Sequence, residues 1–407
     1  MNGSNHNKDD HDDNIHDDIV IVAARRTPLG SLLGSLSSVS APQLGSYAIK
    51  AILDDSNIEP TTIDEVFMGC VLPAGLGQAP ARQAALLAGV PQSTGCSTIN
   101  KVCGSAMKAI MLGHDSIVAG SARRVVAGGM ESMSNAPYLL PKVRSGLRLG
   151  HHEVIDHMFF DGLENASDNL LMGHFAERCV DKYAFTREQQ DEFAIESVNR
   201  ARRAIEEQQF SEEIAPVAVT IKGQQHLVSE DEQPGKSNIE KIPQLKPAFR
   251  KDKGTVTAAN SSSISDGAAA VMLMRASDAQ QNNIRPLARI VAHASYAQAP
   301  EDFTTAPIGA ITRLKEKTGW TEDDIDLYEI NEAFAVVAMA AMRDLKLNHD
   351  KVNVNGGACA LGHPIGATGA RLVVTLLHAL KHRGLQRGIA SLCIGGGEAT
   401  AIAIELI

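Results

Sequence analysis

Four residues stand out for chemistry by type and setting. Cys103 lies in Asn100-Lys-Val-Cys103-Gly-Ser-Ala-Met-Lys, where an extended stretch stops and a helix-forming stretch, Ser105 to Val118, begins. A thiol at a helix start meets unpaired N–H groups and the positive end of the helix dipole, which favour thiolate over thiol. That is the setting of a nucleophile, although a small buried hydrophobe is the ordinary role of a free cysteine. His363 sits in Asn353-Val-Asn-Gly-Gly-Ala-Cys-Ala-Leu-Gly-His363-Pro-Ile-Gly-Ala-Thr-Gly-Ala-Arg371, with five glycines and one proline between Gly356 and Arg371. Its spacing matches neither a dinucleotide loop nor a P-loop. The following proline drives His363 toward an extended backbone, and a histidine on so rigid a loop suits a base. Cys393, in Ser391-Leu-Cys393-Ile-Gly-Gly-Gly-Glu, closes a strand before glycines whose N–H groups could stabilise an oxyanion. Asn331, in Ile330-Asn331-Glu-Ala-Phe, could donate to an oxygen or hold a water; a helix N-cap is its plainer role.

Other polar residues offer less. His151, His152 and His157 have poor ligand spacing and read as a solvated loop. Cys70, Cys96, Cys179 and Cys359 stand in apolar contexts and read as packing. No CxxC pair or His/Cys spacing reads as zinc, so no metal site is expected.

Composition bounds the rest. The 407 residues, 44% apolar and 21% charged, belong to a globular chain with room for two or three domains. A net charge of −10 argues against nucleic acid and anionic membranes as partners. Much of that charge is local, because the first 18 residues hold six aspartates and one lysine and read as a disordered tail. No apolar run is long enough to span a membrane, the acidic N-terminus is unlike a targeting leader, and scattered cysteines fit a reducing compartment. A cytoplasmic location is therefore expected.

Strands at Ile19–Ala24, Glu65–Leu72, Ser97–Val102 and Arg124–Glu131 alternate with helices at Pro42–Asp54, Pro80–Ala88 and after Cys103. This alternation predicts a mostly parallel α/β sheet covered on both faces. Residues 134–263 break the texture with Pro, Gly, His and charge, plus an amphipathic helix near Thr186–Gln209, and read as an insertion. Past residue 286 the first pattern returns. Asp326–Phe334 answers Glu65–Leu72, Lys351–Gly357 with the helix from Gly369 answers Ser97–Val118, and Gly388–Ala399 answers Arg124–Ser132. Two related α/β halves are expected, 19–133 with 264–285 and 286–407, the first carrying the insertion.

With these residues in their local sequences, the chain resembles the thiolase family, and within it the short-chain acetoacetyl-CoA thiolases (acetyl-CoA acetyltransferases). The resemblance runs from Ile19 to the C-terminus. Its motifs are Asn100-Lys-Val-Cys-Gly-Ser-Ala-Met-Lys, Gly128-Gly-Met-Glu-Ser-Met-Ser-Asn-Ala-Pro, Gly254-Thr-Val-Thr-Ala-Ala-Asn, Asn331-Glu-Ala-Phe, Gly362-His-Pro-Ile-Gly and Cys393-Ile-Gly-Gly-Gly. It implies a layered α-β-α-β-α fold and reversible condensation of two acetyl-CoA to acetoacetyl-CoA and CoA. By the same resemblance, Cys103 is the nucleophile, His363 its base, and Cys393 the group that takes the α-proton. Asn331 would hold a water for the enolate oxygen, and the N–H groups of Cys103 and Gly395 would receive the tetrahedral oxyanion. CoA would lie on the insertion, with Ser262 and Met172 near pantetheine and acyl group, and with Lys236 and Lys241 near phosphates. No metal or nucleotide cofactor is implied, and the assembly would be a homotetramer. Val198 replaces the tyrosine of potassium-activated members, which puts that ion in doubt. Leu171 and Phe303 leave chain length and 2-methyl branching open. A longer-chain thiolase, a Cys/His acyl-CoA hydrolase and a non-catalytic acyl-CoA binder are the alternatives.

Overall fold

The computed structural model describes residues 17–407, so nearly all of the acidic tail lies outside the described residues. The strands that carry the fold are β1 (Ile19–Arg26), β2 (Glu65–Gly69), β3 (Gly95–Ile99), β4 (Arg124–Ser132), β5 (Ser265–Arg275), β6 (Ala288–Ala297), β7 (Leu327–Ile330), β8 (Arg387–Ile394) and β9 (Glu398–Leu406). The principal helices are α1 (Ala41–Ser56), α2 (Pro80–Leu87), α3 (Ser105–Val118), α4 (Met172–Tyr183), α5 (Arg187–Glu206), α6 (Ala306–Thr318), α7 (Ala335–Leu345) and α8 (Thr368–Arg383).

The strand order β3-β2-β4-β5-β1 in one half is repeated as β7-β8-β9-β6 in the other. The parallel and antiparallel pairings repeat too. β2 pairs in parallel with β3 and β4, as β7 does with β8. The β4–β5, β1–β5, β8–β9 and β6–β9 pairs are antiparallel. The expected mostly parallel sheet is thus a mixed one. Helical crossovers give parallel neighbours, whereas the tight glycine turn between β8 and β9 can only return antiparallel. A brief pairing of Val20 with Arg289 and Ile21 with Ala288 joins the halves.

One expected strand is nearly absent. The segment answering β3 contributes a single parallel bridge, Val352 to Tyr328. Asn353 has φ 49°, which ends the strand. Its amide then does the pairing, accepting from the Ile330 N–H (2.8 Å) and donating to the Ile330 carbonyl (2.8 Å).

Layering follows from which helices are apolar all round. In α8, every residue from Thr368 to Leu380 is buried, a pattern only an interior helix can carry. It packs with α3 between the two sheets, where Met107, Ile110, Val373 and Leu377 meet Val271 and Leu392. Outside, α1 covers the first sheet through Leu44, Ile49 and Ile52, and α6 and α7 cover the second through Ile311, Leu314 and Val336. Residues 133–264 run between β4 and β5 and carry α4 and α5. The start of α5 was legible: Thr186 caps it, with Gln189 completing a capping box.

One close approach locks the His363 loop onto β4. A Cβ on Gly129 would stand 2.0 Å from the Gly366 carbonyl oxygen and 2.6 Å from Ala106 Cβ. Because the obstacle is backbone, Gly129→Ala is expected to cost ~2–3 kcal/mol or more. A thermal-unfolding midpoint several degrees below the parent's, with reduced activity in the surviving fold, is the outcome to look for.

Candidate active site

Cys103 stands in the turn between β3 and α3. The preceding Val102 has φ 46°, a left-handed conformation unusual for a β-branched residue and held only where neighbours fix it. Here they do. The Ser105 hydroxyl donates to the Val102 carbonyl (2.6 Å) and accepts from the Lys101 N–H (2.8 Å), while Asn100 Oδ1 accepts from the Val102 N–H (3.0 Å). Burial pushes the Cys103 thiol up to about 11, against the opposing pull of the N–H groups of Gly395 and of Cys103 itself. This corrects the sequence expectation: desolvation outweighs the helix start, so the resting group is a thiol and needs a base.

His363 supplies a candidate. Gly362 before it has φ 108°, and a Cβ there would strike Ser265 Oγ at 2.1 Å. The His363 N–H donates to the Ser263 carbonyl (3.0 Å), fixing the loop. Its Nδ1 lies 2.6 Å from Thr368 Oγ1, and the Thr368 hydroxyl donates its own proton to the Pro364 carbonyl (2.9 Å). Nδ1 is therefore the protonated nitrogen, which leaves a lone pair on Nε2. That atom is buried without a protein hydrogen-bond partner among the described residues. Burial, then the charge of Arg371, lowers His363 to about 3, so the imidazole is neutral.

Thr368 is thus a positioning residue that the sequence reading missed. Thr368→Val keeps the shape but strands the buried Nδ1–H, at about 1–3 kcal/mol. That corresponds to a roughly ten- to hundredfold lower kcat, with KM little changed and activity restored by Thr368→Ser. An unaltered kcat would remove Thr368 from the mechanism.

Cys103, His363 and Gly395 line one cavity of 540 Å³. Met172, at the start of α4, and Ser262 line it as well. An aromatic wall closes one side, with Phe249 and Phe303 each packed edge-on against Phe334. Cys393, next to last in β8, and Asn331 are not among the residues that line this cavity. Cys393 is buried, and burial followed by the nearby charge of Cys103 pushes its thiol well up. Asn331 follows β7, fully buried, with both side-chain polar atoms lacking protein partners among the described residues. Its backbone N–H donates to the Ser391 carbonyl (3.0 Å), setting it beside β8. An orphaned buried amide suits a site that binds water or ligand.

The two lysines fall elsewhere. Lys236 pairs with Glu232 on the next helical turn, a contact its spacing in sequence already allowed. Lys241 lines an adjoining cleft that shares Gln233, Ala258 and Ser263 with the cavity. Neither lines the cavity. Val198 is buried in an apolar cluster with Ala360 and Leu361. His157, expected on a solvated loop, is buried and bound to Asp161 at 2.5 Å, because the loop folds back over Ala74. All six cysteines are unpaired.

Glu131 is a second missed residue. Buried near the end of β4, its carboxylate accepts from the N–H groups of Val71 (2.9 Å) and Leu72 (3.2 Å). Burial lifts it to about 7, opposed by those bonds and by one from Gly366. It therefore ties the segment after β2 to the His363 loop. A charged residue directly after the apolar run Val125–Met130, still within the strand, was the available signal.

Comparison with known proteins agrees with this geometry. The thiolase N-terminal domain profile matches residues 19–277, and the thiolase C-terminal domain profile matches residues 284–406. The chain belongs to the thiolase family. An acetyl-CoA acetyltransferase of Schizosaccharomyces pombe is 47% identical over 97% of this thiolase and 100% of its own length. One from Pseudomonas aeruginosa is 48% identical over 95% of this chain and 99% of its own. Among solved structures, an Ascaris suum thiolase in complex with coenzyme A superimposes with a TM-score of 0.91 at 44% identity, covering 96% of this thiolase and 100% of that chain. The Bacillus anthracis acetyl-CoA acetyltransferase gives 0.93 at 42% identity, over 96% and 99%.

Proposed function

We propose that this thiolase is an acetyl-CoA C-acetyltransferase, condensing two acetyl-CoA to acetoacetyl-CoA and CoA and cleaving in reverse through acetyl-Cys103. The observation that carries the reading is the pairing, in one cavity, of a thiol held protonated with a neutral imidazole whose Nε2 is unpartnered. His363 takes the Cys103 proton as sulfur attacks the thioester carbonyl. The N–H groups of Cys103 and Gly395 receive the developing oxyanion. Cys393, a thiol at rest, gives its proton to departing CoA and becomes a thiolate. That thiolate then takes an α-proton from the second acetyl-CoA. Protonated His363 and an Asn331-held water stabilise the enolate oxygen while its carbon attacks acetyl-Cys103. Expelled Cys103 regains its proton from His363, and every group returns to its starting state.

Ser262 and Met172 support pantetheine and acyl group in this reading, and no metal or nucleotide cofactor takes part in the chemistry; the apolar surroundings of Val198 weigh against a potassium ion there. Fatty-acid and ketone-body metabolism in the cytoplasm is the setting proposed, consistent with six unpaired cysteines. Among the described residues no helix is long and apolar enough to cross a membrane. A homotetramer is proposed because the insertion exposes Tyr138, Leu147, Leu149 and Val154, Leu149 at 93%, a patch that association would cover. The segments proposed as domains follow the insertion: halves 19–133 with 264–285 and 286–407, around 134–263.

Brief treatment with acetyl-CoA followed by peptide mass spectrometry tests the reading. An acetyl group on Cys103 is expected. Acetylation elsewhere, or none, overturns it.

A further inference from the structure

Three ligand-type side chains meet across the junction of the halves. His114 and Asp115 lie near the end of α3, and His293 lies on β6. Asp115 Oδ1 stands 3.1 Å from His114 Nδ1 and 2.9 Å from His293 Nε2. One candidate ligand atom from each residue lies within 4.8 Å of the others. The two imidazoles are perpendicular, with centroids 4.9 Å apart. They are 19% and 17% exposed, whereas the Asp115 side chain is 51% exposed.

We propose that His114, Asp115 and His293 form a divalent metal site of the zinc class that clips α3 of one half to β6 of the other. Two imidazoles and one carboxylate suit Zn²⁺ and its Co²⁺ and Ni²⁺ analogues better than the oxygen-seeking Mg²⁺ or Ca²⁺. Ligand atoms about 3.3–3.6 Å apart accompany metal bonds of about 2.0–2.2 Å in a tetrahedral site. The two carboxylate–imidazole separations are within a few tenths of an ångström of that, and side-chain rotation brings the two imidazole nitrogens, already within 4.8 Å of each other, onto the ion. The exposed edge of Asp115 gives an entry path and leaves the fourth position to water. Without metal the facing nitrogens, His114 Nδ1 and His293 Nε2, donate to Asp115 Oδ1; a bound metal takes the place of those protons, and each imidazole is then protonated on its other ring nitrogen. Lys317 donates to the His293 carbonyl (2.8 Å) and adds an unfavourable charge nearby, which limits affinity.

The site has no signature in the chain because its two ligand groups are 178 residues apart. It lies about 15 Å along α3 from Cys103, by the 1.5 Å rise per residue, so it acts on the fold and not on the reacting atoms. Occupancy would fasten the far end of the helix that presents the nucleophile.

The test uses the full chain, stripped of metal, with His6, His11 and His16 changed to alanine to remove competing imidazoles. Zn²⁺ is titrated calorimetrically, and Co²⁺ is followed by its visible absorption. About one equivalent bound, with an unfolding midpoint that rises with Zn²⁺ concentration, is expected. Asp115→Asn and His293→Gln are each expected to weaken binding at least about tenfold while keeping parental acetyl transfer, which reports an intact fold. Undiminished binding by both variants, or no binding by the parent at tens of micromolar Zn²⁺, overturns the proposal and leaves a hydrogen-bonded trio.

Discussion

His363→Ala is expected to lower kcat for thiolytic cleavage by about 10⁴-fold or more, because one general acid–base group is worth 10²–10⁴ and His363 serves both half-reactions. The pH profile separates this role from mere damage. In the parent, His363 is neutral above about 3 and the Cys103 thiol ionises unaided only toward about 11, so the acetylation rate should be flat across the neutral range. Without the imidazole, reaction waits for free thiolate, about one part in 10⁴ at pH 7. Acetylation by the variant should then climb roughly tenfold per pH unit as the thiol titrates. Stopped-flow release of CoA measures both profiles. A flat profile in His363→Ala would move the base elsewhere, and the Glu131 carboxyl, lifted by burial to about 7, would be the neighbour to examine next.

Cys393→Ala should divide the two half-reactions. Acetyl-Cys103 still forms, since CoA can leave as a thiolate without a proton donor. Condensation should fall by about 10²–10⁴-fold, the range for losing a positioned base. Exchange of acetyl-CoA methyl protons with deuterated water, followed by NMR, should fall in step. Cys393 lies buried and close enough to Cys103 for their charges to interact, and alanine removes the sulfur without a large volume change. Normal acetoacetyl-CoA synthesis by this variant would contradict the assignment, and loss of Cys103 acetylation would mean that the Cys393 proton is indispensable to the first step and not merely helpful there.

The pattern of strands, helices and glycine loops determined much of this protein unaided. Apolar runs marked the strands, the Thr186 capping box marked α5, and the internal repeat announced two halves. Those signals are local, fixed by propensity and periodicity within a few residues. The sites of Cys103, His363, Cys393 and Asn331 were legible for the same reason, as each stands at a strand end or in a loop with its own sequence signature.

What only the tertiary structure decided depends on distance through space. The thiol of Cys103 is raised and not lowered because packing strips it of water, which helix position cannot report. The tautomer of His363 rests on where the Thr368 hydroxyl sends its proton. Val352 read as a strand, yet the Asn353 side chain takes over its pairing. His114, Asp115 and His293 meet only because α3 of one half lies beside β6 of the other. Desolvation, tautomer choice and ion pairing are set by neighbours brought together in folding, and linear order carries no record of them.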